Sequence, residues 1–369
     1  MFFCIIRKKT RHDATYLREI FYFCGKIHLH DLMLTEIRIE KFTAFDKLDV
    51  KLSEGINVLI GANGTGKTHL MKLLYGAMQQ ADSAAIKTMD QTLQGLFMPD
   101  SLGRLVKRSM GRGKGSFAVY RNDGDGVDRS MRYELTSLGK SQMVNSRIWS
   151  RNQQYNVVYI PVKDMLANSP GFKSLYEKRD IYFESVYADI ISLALLPPTK
   201  GHVSKEKSML LDLIQGVIDG KVEKKDEKFY LKNAQGNLEF TLLAEGYRKL
   251  GLLYSLIQNE SISSGSILFW DEPEANLNPK LTTQVVKILL ELQRMGTQIF
   301  LATHDYVLLK ELELSCDSKC DHIAYHALYL KDGEVNCQSS NVLKEISHNA
   351  INDTFDSLMI RTIGNEWED

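Results

Sequence analysis

Gly55-Ile56-Asn57-Val58-Leu59-Ile60-Gly61-Ala62-Asn63-Gly64-Thr65-Gly66-Lys67-Thr68, continued by His69-Leu70-Met71-Lys72-Leu73-Leu74-Tyr75, decides how this chain folds. The first six residues form a short apolar run rich in β-branched side chains, the next eight fit G-x-x-x-x-G-K-[ST], and the last seven carry helical spacing. Strand, glycine loop, helix is the context in which that pattern binds phosphate. Glycines let backbone N–H groups turn inward around phosphate oxygens, and a helix that starts at the loop points its positive end at them. On this reading Gly61, Asn63, Gly64, Thr65, Gly66, Lys67 and Thr68 form the cradle. Lys67 reaches the β- and γ-phosphates, and the Thr68 hydroxyl ligates Mg2+.

Two later segments repeat the device of an apolar strand that ends in polar chemistry. Ser266-Ile267-Leu268-Phe269-Trp270 runs into Asp271-Glu272-Pro273-Glu274. A buried strand delivers its terminal side chains to the carboxyl edge of a parallel sheet, where α/β folds bind ligands. Asp271 is expected to hold Mg2+ through water, and Glu272 to act as general base on the attacking water. Alone, the segment could also be read as an acidic turn stopped by Pro273. Gln298-Ile299-Phe300-Leu301-Ala302-Thr303 ends in His304-Asp305. A lone histidine at a strand end is ordinarily a surface residue, but after the glycine loop and the Asp-Glu pair His304 is the expected sensor of the γ-phosphate.

The bulk composition sets bounds. The chain has 369 residues, 44% of them hydrophobic, and 46 Lys+Arg against 46 Asp+Glu, so net charge points to no polyanionic partner. No apolar stretch approaches the roughly eighteen residues a bilayer needs, and the amino terminus lacks the order of a secretory signal; no membrane partner and a cytoplasmic location are the expectations. Five scattered cysteines fit reduced thiols. Cys316-x-x-x-Cys320-x-His322 lacks a second tight pair to complete a zinc tetrahedron.

Along the chain, residues 1–32 have no clear period and read as an amino-terminal extension: an appendage, or the product of an upstream start with Met33 as the natural beginning. Strands follow at Leu34–Phe42 and Leu48–Leu52, and one or two helices over 69–98. Between Ser101 and Arg151 the positive residues Arg104, Lys107, Arg108, Arg112, Lys114, Arg121, Arg129, Arg132, Lys140, Arg147 and Arg151 face only Asp123, Asp125, Asp128 and Glu134. This stretch reads either as a cationic surface for DNA or RNA over residues 101–151 or as a solvated face whose arginines serve nearby carboxylates. Within it, Ser116–Tyr120 and Met131–Leu135 form a hairpin through Asn122–Gly126. Val157–Ile160 is a buried strand stopped by Pro161, and helices dominate from Phe172 to about Ile218. Further hairpins turn through Asn233–Gly236 and Lys331–Gly333, and a closing helix spans Asn341 to Ile360.

These motifs, with Tyr159-Ile160-Pro161-Val162-Lys163-Asp164 and Ala244-Glu245-Gly246-Tyr247-Arg248-Lys249-Leu250, make the chain resemble an ABC-type ATPase head of the SMC/RecF-like kind. More narrowly, it is similar to compact bacterial AAA-type, ABC-like ATPases found beside toxins or nucleases in overcoming-lysogenization-defect-like and abortive-infection systems. The resemblance implies an α/β P-loop NTPase with ABC-ATPase head architecture: a mixed central sheet, an antiparallel β subdomain and a helical signature subdomain. It implies one ATPase domain over 33–335, with a basic β-hairpin region at 101–156 and a mainly helical signature subdomain at 162–256 inserted, and a helical tail at 336–369. It implies ATP and Mg2+ as ligands, and a homodimer or higher oligomer closed as an ATP sandwich, each loop completed in trans by Gly246 of the partner. It implies an ATPase that switches a separate effector, a nuclease or toxin from a neighbouring gene, in antiviral defence. The alternative reading is a DNA-binding head for repair or recombination. Ala244 stands where serine is usual, Val162 where a glutamine is common, and Ala275-Asn276-Leu277-Asn278 where an aspartate is frequent. These departures imply slow or partner-dependent hydrolysis.

Overall fold

The computed structural model describes residues 32–82, 85–108, 111–125, 127–144, 149–150, 155–179, 181–201 and 203–366. The expected extension, apart from its last residue, lies outside them, as do Arg147 and Arg151 of the basic stretch. The strands are β1 Met33–Phe42, β2 Phe45–Lys51, β3 Ile56–Ile60, β4 Lys114–Asn122, β5 Asp128–Thr136, β6 Ser141–Val144, β7 Val157–Ile160, β8 Lys221–Lys225, β9 Lys228–Asn233, β10 Gly236–Glu239, β11 Ile267–Asp271, β12 Gln298–Thr303, β13 Ile323–Lys331 and β14 Glu334–Ser340. The helices are α1 Lys67–Gln79, α2 Met89–Phe97, α3 Phe172–Arg179, α4 Ser185–Ala194, α5 Lys205–Ile218, α6 Glu245–Gln258, α7 Pro279–Arg294, α8 Tyr306–Ser315 and α9 Ala350–Glu366.

Strands β3, β11 and β12 are short, apolar on both faces and buried throughout, as central strands of a covered parallel sheet must be. They lie in a six-stranded sheet of order β14-β13-β3-β12-β11-β7, parallel except for the antiparallel edge strand β14. Because side chains alternate across a strand, the sheet feeds two cores. Leu59, Tyr159, Ile267, Phe269, Phe300 and Ala302 pack in one of them with α1 and the inner face of an antiparallel sheet of order β2-β1-β4-β5-β6. Val58, Ile60, Leu268, Trp270, Ile299 and Leu301 pack in the other with α5, α6, α7 and α8. Helix α1 is therefore sandwiched between two sheets, and Leu70, Leu73 and Leu74 are fully buried. Full burial of one such side chain contributes about 1.5–3 kcal/mol, so the glycine loop at its start rests on a stiff base.

Helix starts follow their caps. Asn278 accepts a hydrogen bond from the Lys280 amide ahead of Pro279 at the first position of α7, and Asp305 accepts one from the Leu308 amide (2.6 Å) to open α8. The closing helix begins at Ala350, later than its expected start at Asn341. Gln338 Oε1 accepts from the backbone amides of Ser347 and His348, which holds the preceding segment as a loop. The hairpin through Asn233–Gly236 is present, and a third strand, β8, joins it.

The basic stretch is largely satisfied within the protein. Arg121 and Arg129 are buried and pair with Asp123, and Arg129 also with Asp125. Arg121 lies between the rings of Trp149 and Tyr155, 4.6 Å from each centroid. Lys107 pairs with Asp46, Arg104 with Asp100, and Lys114 and Arg132 with Glu134. Arg108, Arg112 and Lys140 remain exposed. Among the described residues, the reading in which the cations serve nearby carboxylates accounts for most of the charge.

One buried polar link steadies the strand that feeds the loop. The Asn57 amide is fixed in β3, because its Oδ1 accepts from the Ser53 amide and its Nδ2 donates to the Ser53 carbonyl. His326 Nε2 must then donate to Asn57 Oδ1 (3.2 Å), leaving Nδ1 to accept from the Ser339 hydroxyl (2.8 Å). Burial lowers this imidazole from the ordinary value near 6.5 to about 4. The unfolded chain therefore binds the proton first, and stability falls as pH drops from about 6.5 towards 4. At about 1.4 kcal/mol per tenfold change in proton affinity, the loss is on the order of 3 kcal/mol. Urea denaturation at pH 7 and pH 4.5 is expected to show a larger loss for the wild type than for His326→Gln; equal losses would contradict this role.

Candidate functional site

Sequence-distant segments meet at the carboxyl end of the parallel strands. Gly61–Gly66 connects β3 to α1, and its glycines are there for steric reasons. A Cβ on Gly61 would lie 2.3 Å from the Leu328 carbonyl oxygen, and one on Gly66, whose φ is +92°, would lie 2.6 Å from the Phe45 ring. Gly66 provides no side-chain cap, so the first-turn amides of α1 keep their donor capacity for an anion. Asn63 and Gly64 are exposed at the crest of the loop. Thr65 is buried, and its hydroxyl donates to the Ala62 carbonyl (2.9 Å).

Lys67 is buried, and its ammonium donates to the carbonyls of Gly61 (2.6 Å) and Ala62 (3.1 Å). Burial lowers its proton affinity, opposed by the nearby charges of Glu272, Asp271 and Glu274. Asp271, at the end of β11, is hydrogen-bonded to Thr68 and accepts from the Tyr159 hydroxyl (3.2 Å); burial raises its pKa. Glu272 follows in the left-handed region, φ +47°, its amide donating to the Ala302 carbonyl. A non-glycine residue there stores on the order of 1–3 kcal/mol, and such strain gathers at functional sites. Its carboxylate lies 3.2 Å from His304 Nδ1. Glu274 accepts from the Thr303 hydroxyl (2.6 Å) and the His304 amide (3.2 Å), while its second oxygen is buried without a hydrogen-bond partner among the described residues. Burial raises the Glu274 pKa as well.

The structure thus brings together Lys67, Thr68, Asp271, Glu272 and His304, all singled out in the sequence. It does not bring Gly246 to the glycine loop of the same chain. Gly246 opens α6 against the segment after Glu272, where an added Cβ would lie 2.9 Å from Leu277 Cδ2 and 3.5 Å from the Asn276 carbonyl oxygen. At the glutamine-loop position Lys163 is exposed, while Asp164 turns away to pair with Arg248 on α6 at 2.8 Å. Sequence reasoning missed Tyr159, Glu274 and Lys249. The Asp-Glu-Pro-Glu run held a signal for Glu274; for the other two no local signal exists.

The donor set fits magnesium and a polyphosphate. A hydroxyl and a carboxylate already in contact offer hard oxygen ligands, and an amide-lined loop with one ammonium offers donors to phosphate. Thr68 and Asp271 would hold the metal, and Gly61–Lys67 the phosphates. Among the described residues no group of three or more His, Cys, Asp or Glu is placed to hold a metal ion. No described helix is long and apolar enough to cross a membrane.

The family model described as "AAA domain, putative AbiEii toxin, Type IV TA system" matches residues 56–310. No curated protein sequence matches the chain. In fold it is similar to an SMC head bound to the C-winged helix domain of ScpA: 13% identity, TM-score 0.55, covering 85% of this chain and 99% of that one. It is similar also to the SMC head with coiled coil and joint from Pyrococcus yayanosii (9%, 0.54, covering 89% and 100%). A third likeness is to the SMC head with an extended coiled coil bound to the C-terminal domain of ScpA from Pyrococcus furiosus (12%, 0.51, covering 85% and 97%). At these identities the likeness shows the fold alone, and the fold is the P-loop ATPase head expected from the motifs. With the family model matching more than half of its length, the chain belongs to the AAA domain family that carries the putative AbiEii toxin, type IV toxin–antitoxin description, and it has the fold of an SMC-type P-loop head.

Proposed function

We propose that the protein hydrolyses ATP, that ATP closes two copies face to face, and that the cycle switches a separate effector, a nuclease or toxin, in defence against phage. The observation that carries the chemical half is the convergence of Lys67, Thr68, Asp271, Glu272 and His304 at one sheet edge. The effector half rests on the family description alone.

Each residue has a physical task in this reading. The amides of Gly61–Lys67 and the Lys67 ammonium bind the phosphates and orient the γ-phosphoryl group for in-line attack. Bound Mg2+ supplies charge neutralisation at the β- and γ-phosphates. Tyr159 holds the Asp271 carboxylate in place. Glu272 takes the proton of the attacking water as that water adds to the γ-phosphorus and the ADP oxygen leaves. His304, steered by the Glu274 contact with its amide, senses the γ-phosphate. Gly246 of a second copy presents an amide at a helix start to the same phosphate.

Phosphate release from ATP by the purified protein, with particle mass measured in the same buffers, tests this reading. Magnesium-dependent release is expected, with a mass shift toward a dimer in ATP. A folded protein that releases no phosphate, with or without the product of its neighbouring gene, contradicts it.

A further inference from the structure

The helix that opens with Gly246 also grips, within its own chain, the loop that carries Glu272. The ammonium of Lys249, which is only 2% exposed, donates to the Ala275 carbonyl at 2.6 Å and reaches the Glu272 carbonyl at 3.4 Å. Those carbonyls bracket one turn, since the Ala275 amide itself donates to the Glu272 carbonyl (3.0 Å). Glu245, one residue before Gly246, accepts from Asn276 Nδ2 (2.9 Å). Leu277 packs directly on Gly246. Arg248 ties the same turn of α6 to Asp164, after β7. The first turns of α6 and the loop 272–277 therefore form one mechanical unit.

Lys249 is the decisive tie. The Glu245–Asn276 pair is solvent-facing, and exposed pairs of that kind contribute little. Arg248 reaches a different loop. Among the described residues, Lys249 is the buried charge of this unit whose hydrogen bonds go to the catalytic loop, and pulling a buried ammonium off its acceptors leaves it unsatisfied, which is costly. A shift of α6 must therefore drag the loop with it. The loop can respond, because Glu272 sits in a strained left-handed conformation whose placement depends on its neighbours.

We propose that Lys249 is a positioning residue that couples the two ATP sites of a dimer: contact of Gly246 with the nucleotide held by the partner moves α6, and Lys249 carries that movement to Glu272 of its own site. The inference rests on the reading of the site as an ATP sandwich with Glu272 as base. Linkage then makes the coupling reciprocal in binding, each site favouring closure at the other.

The test compares wild type with Lys249→Met, a near-isosteric change that removes charge and donors. Unfolding midpoint, affinity for a non-hydrolysable ATP analogue and the ATP dependence of phosphate release are measured for both. Wild type is expected to hydrolyse cooperatively, with a Hill coefficient above about 1.5. Lys249→Met is expected to bind the analogue within about threefold of wild type, to lose about tenfold or more in kcat, and to show a Hill coefficient near 1. A purely structural role would move the unfolding midpoint and leave kcat and cooperativity of the folded fraction alone. That outcome overturns the inference, as does a wild type that hydrolyses without cooperativity. If Lys249→Met does not fold, the same measurements are made on Lys249→Gln, which removes the charge and shortens the side chain while keeping it polar, and an unchanged Hill coefficient there counts against the coupling. A wild type that binds the analogue yet releases no phosphate overturns the hydrolytic reading, and the coupling with it; normal hydrolysis by Lys249→Met overturns the coupling only.

Discussion

Glu272→Gln is expected to bind ATP at least as tightly as wild type, to hydrolyse it about a hundredfold more slowly or worse, and to accumulate as an ATP-bound dimer. The substitution is nearly isosteric, so the contact with His304 at 3.2 Å and the backbone link to Ala302 can persist. What disappears is a group able to accept the proton of the attacking water. Removing one charge from a cluster that also holds Asp271 and Glu274 lowers repulsion toward a tetraanionic ligand, which is why affinity should not fall. Light scattering in saturating ATP, read beside phosphate release, checks both halves. A Gln variant that stays monomeric while wild type hydrolyses normally rules out closure by two copies. A variant that hydrolyses at the wild-type rate moves the base elsewhere, and Glu274, with its unpartnered buried oxygen, becomes the next candidate.

Lys67→Ala is expected to lose about a hundredfold or more in ATP affinity, equivalent to roughly 2.7 kcal/mol or more. Lys67 is buried at the base of the loop, and its ammonium already bonds two loop carbonyls, Gly61 and Ala62. Its removal takes away the ammonium held in the loop itself and leaves the nearby charges of Glu272, Asp271 and Glu274 less compensated, so the penalty is both a lost attraction and a stronger repulsion. Because the backbone of the loop is held by glycine geometry rather than by Lys67, the variant should fold. Titration with a fluorescent ATP analogue measures the effect, and an affinity within threefold of wild type would remove Lys67 from the site.

The elements that build the site were legible in the sequence because each carries its signal locally. A glycine pattern between an apolar run and a helix, and two apolar runs that stop at Asp-Glu and at His, need no knowledge of the rest of the chain. The missing pieces are contacts between distant segments. Tyr159 reads as one more residue of a buried strand, and only pairing of β7 beside β11 brings its hydroxyl to Asp271. Lys249 reads as one more residue of the segment that follows Gly246, and only the fold brings the carbonyl of Ala275 to its ammonium. The basic stretch left two readings open for the same reason: Asp46 pairs with Lys107 from a strand more than fifty residues earlier, outside any local charge count. Strand β8, Lys-Val-Glu-Lys-Lys, offers a single apolar side chain as a signal, and it is an edge strand with Val222 as its one buried side chain.

The most direct test of the account is equilibrium titration of the wild-type protein with a non-hydrolysable ATP analogue in the presence and absence of Mg2+, alongside Lys67→Ala. The account predicts one nucleotide per chain, tighter binding with Mg2+, and near-complete loss in the variant. A well-folded wild type that binds no nucleotide, or a Lys67→Ala variant that binds it equally well, would contradict the claim that this sheet edge grips a magnesium-bound triphosphate.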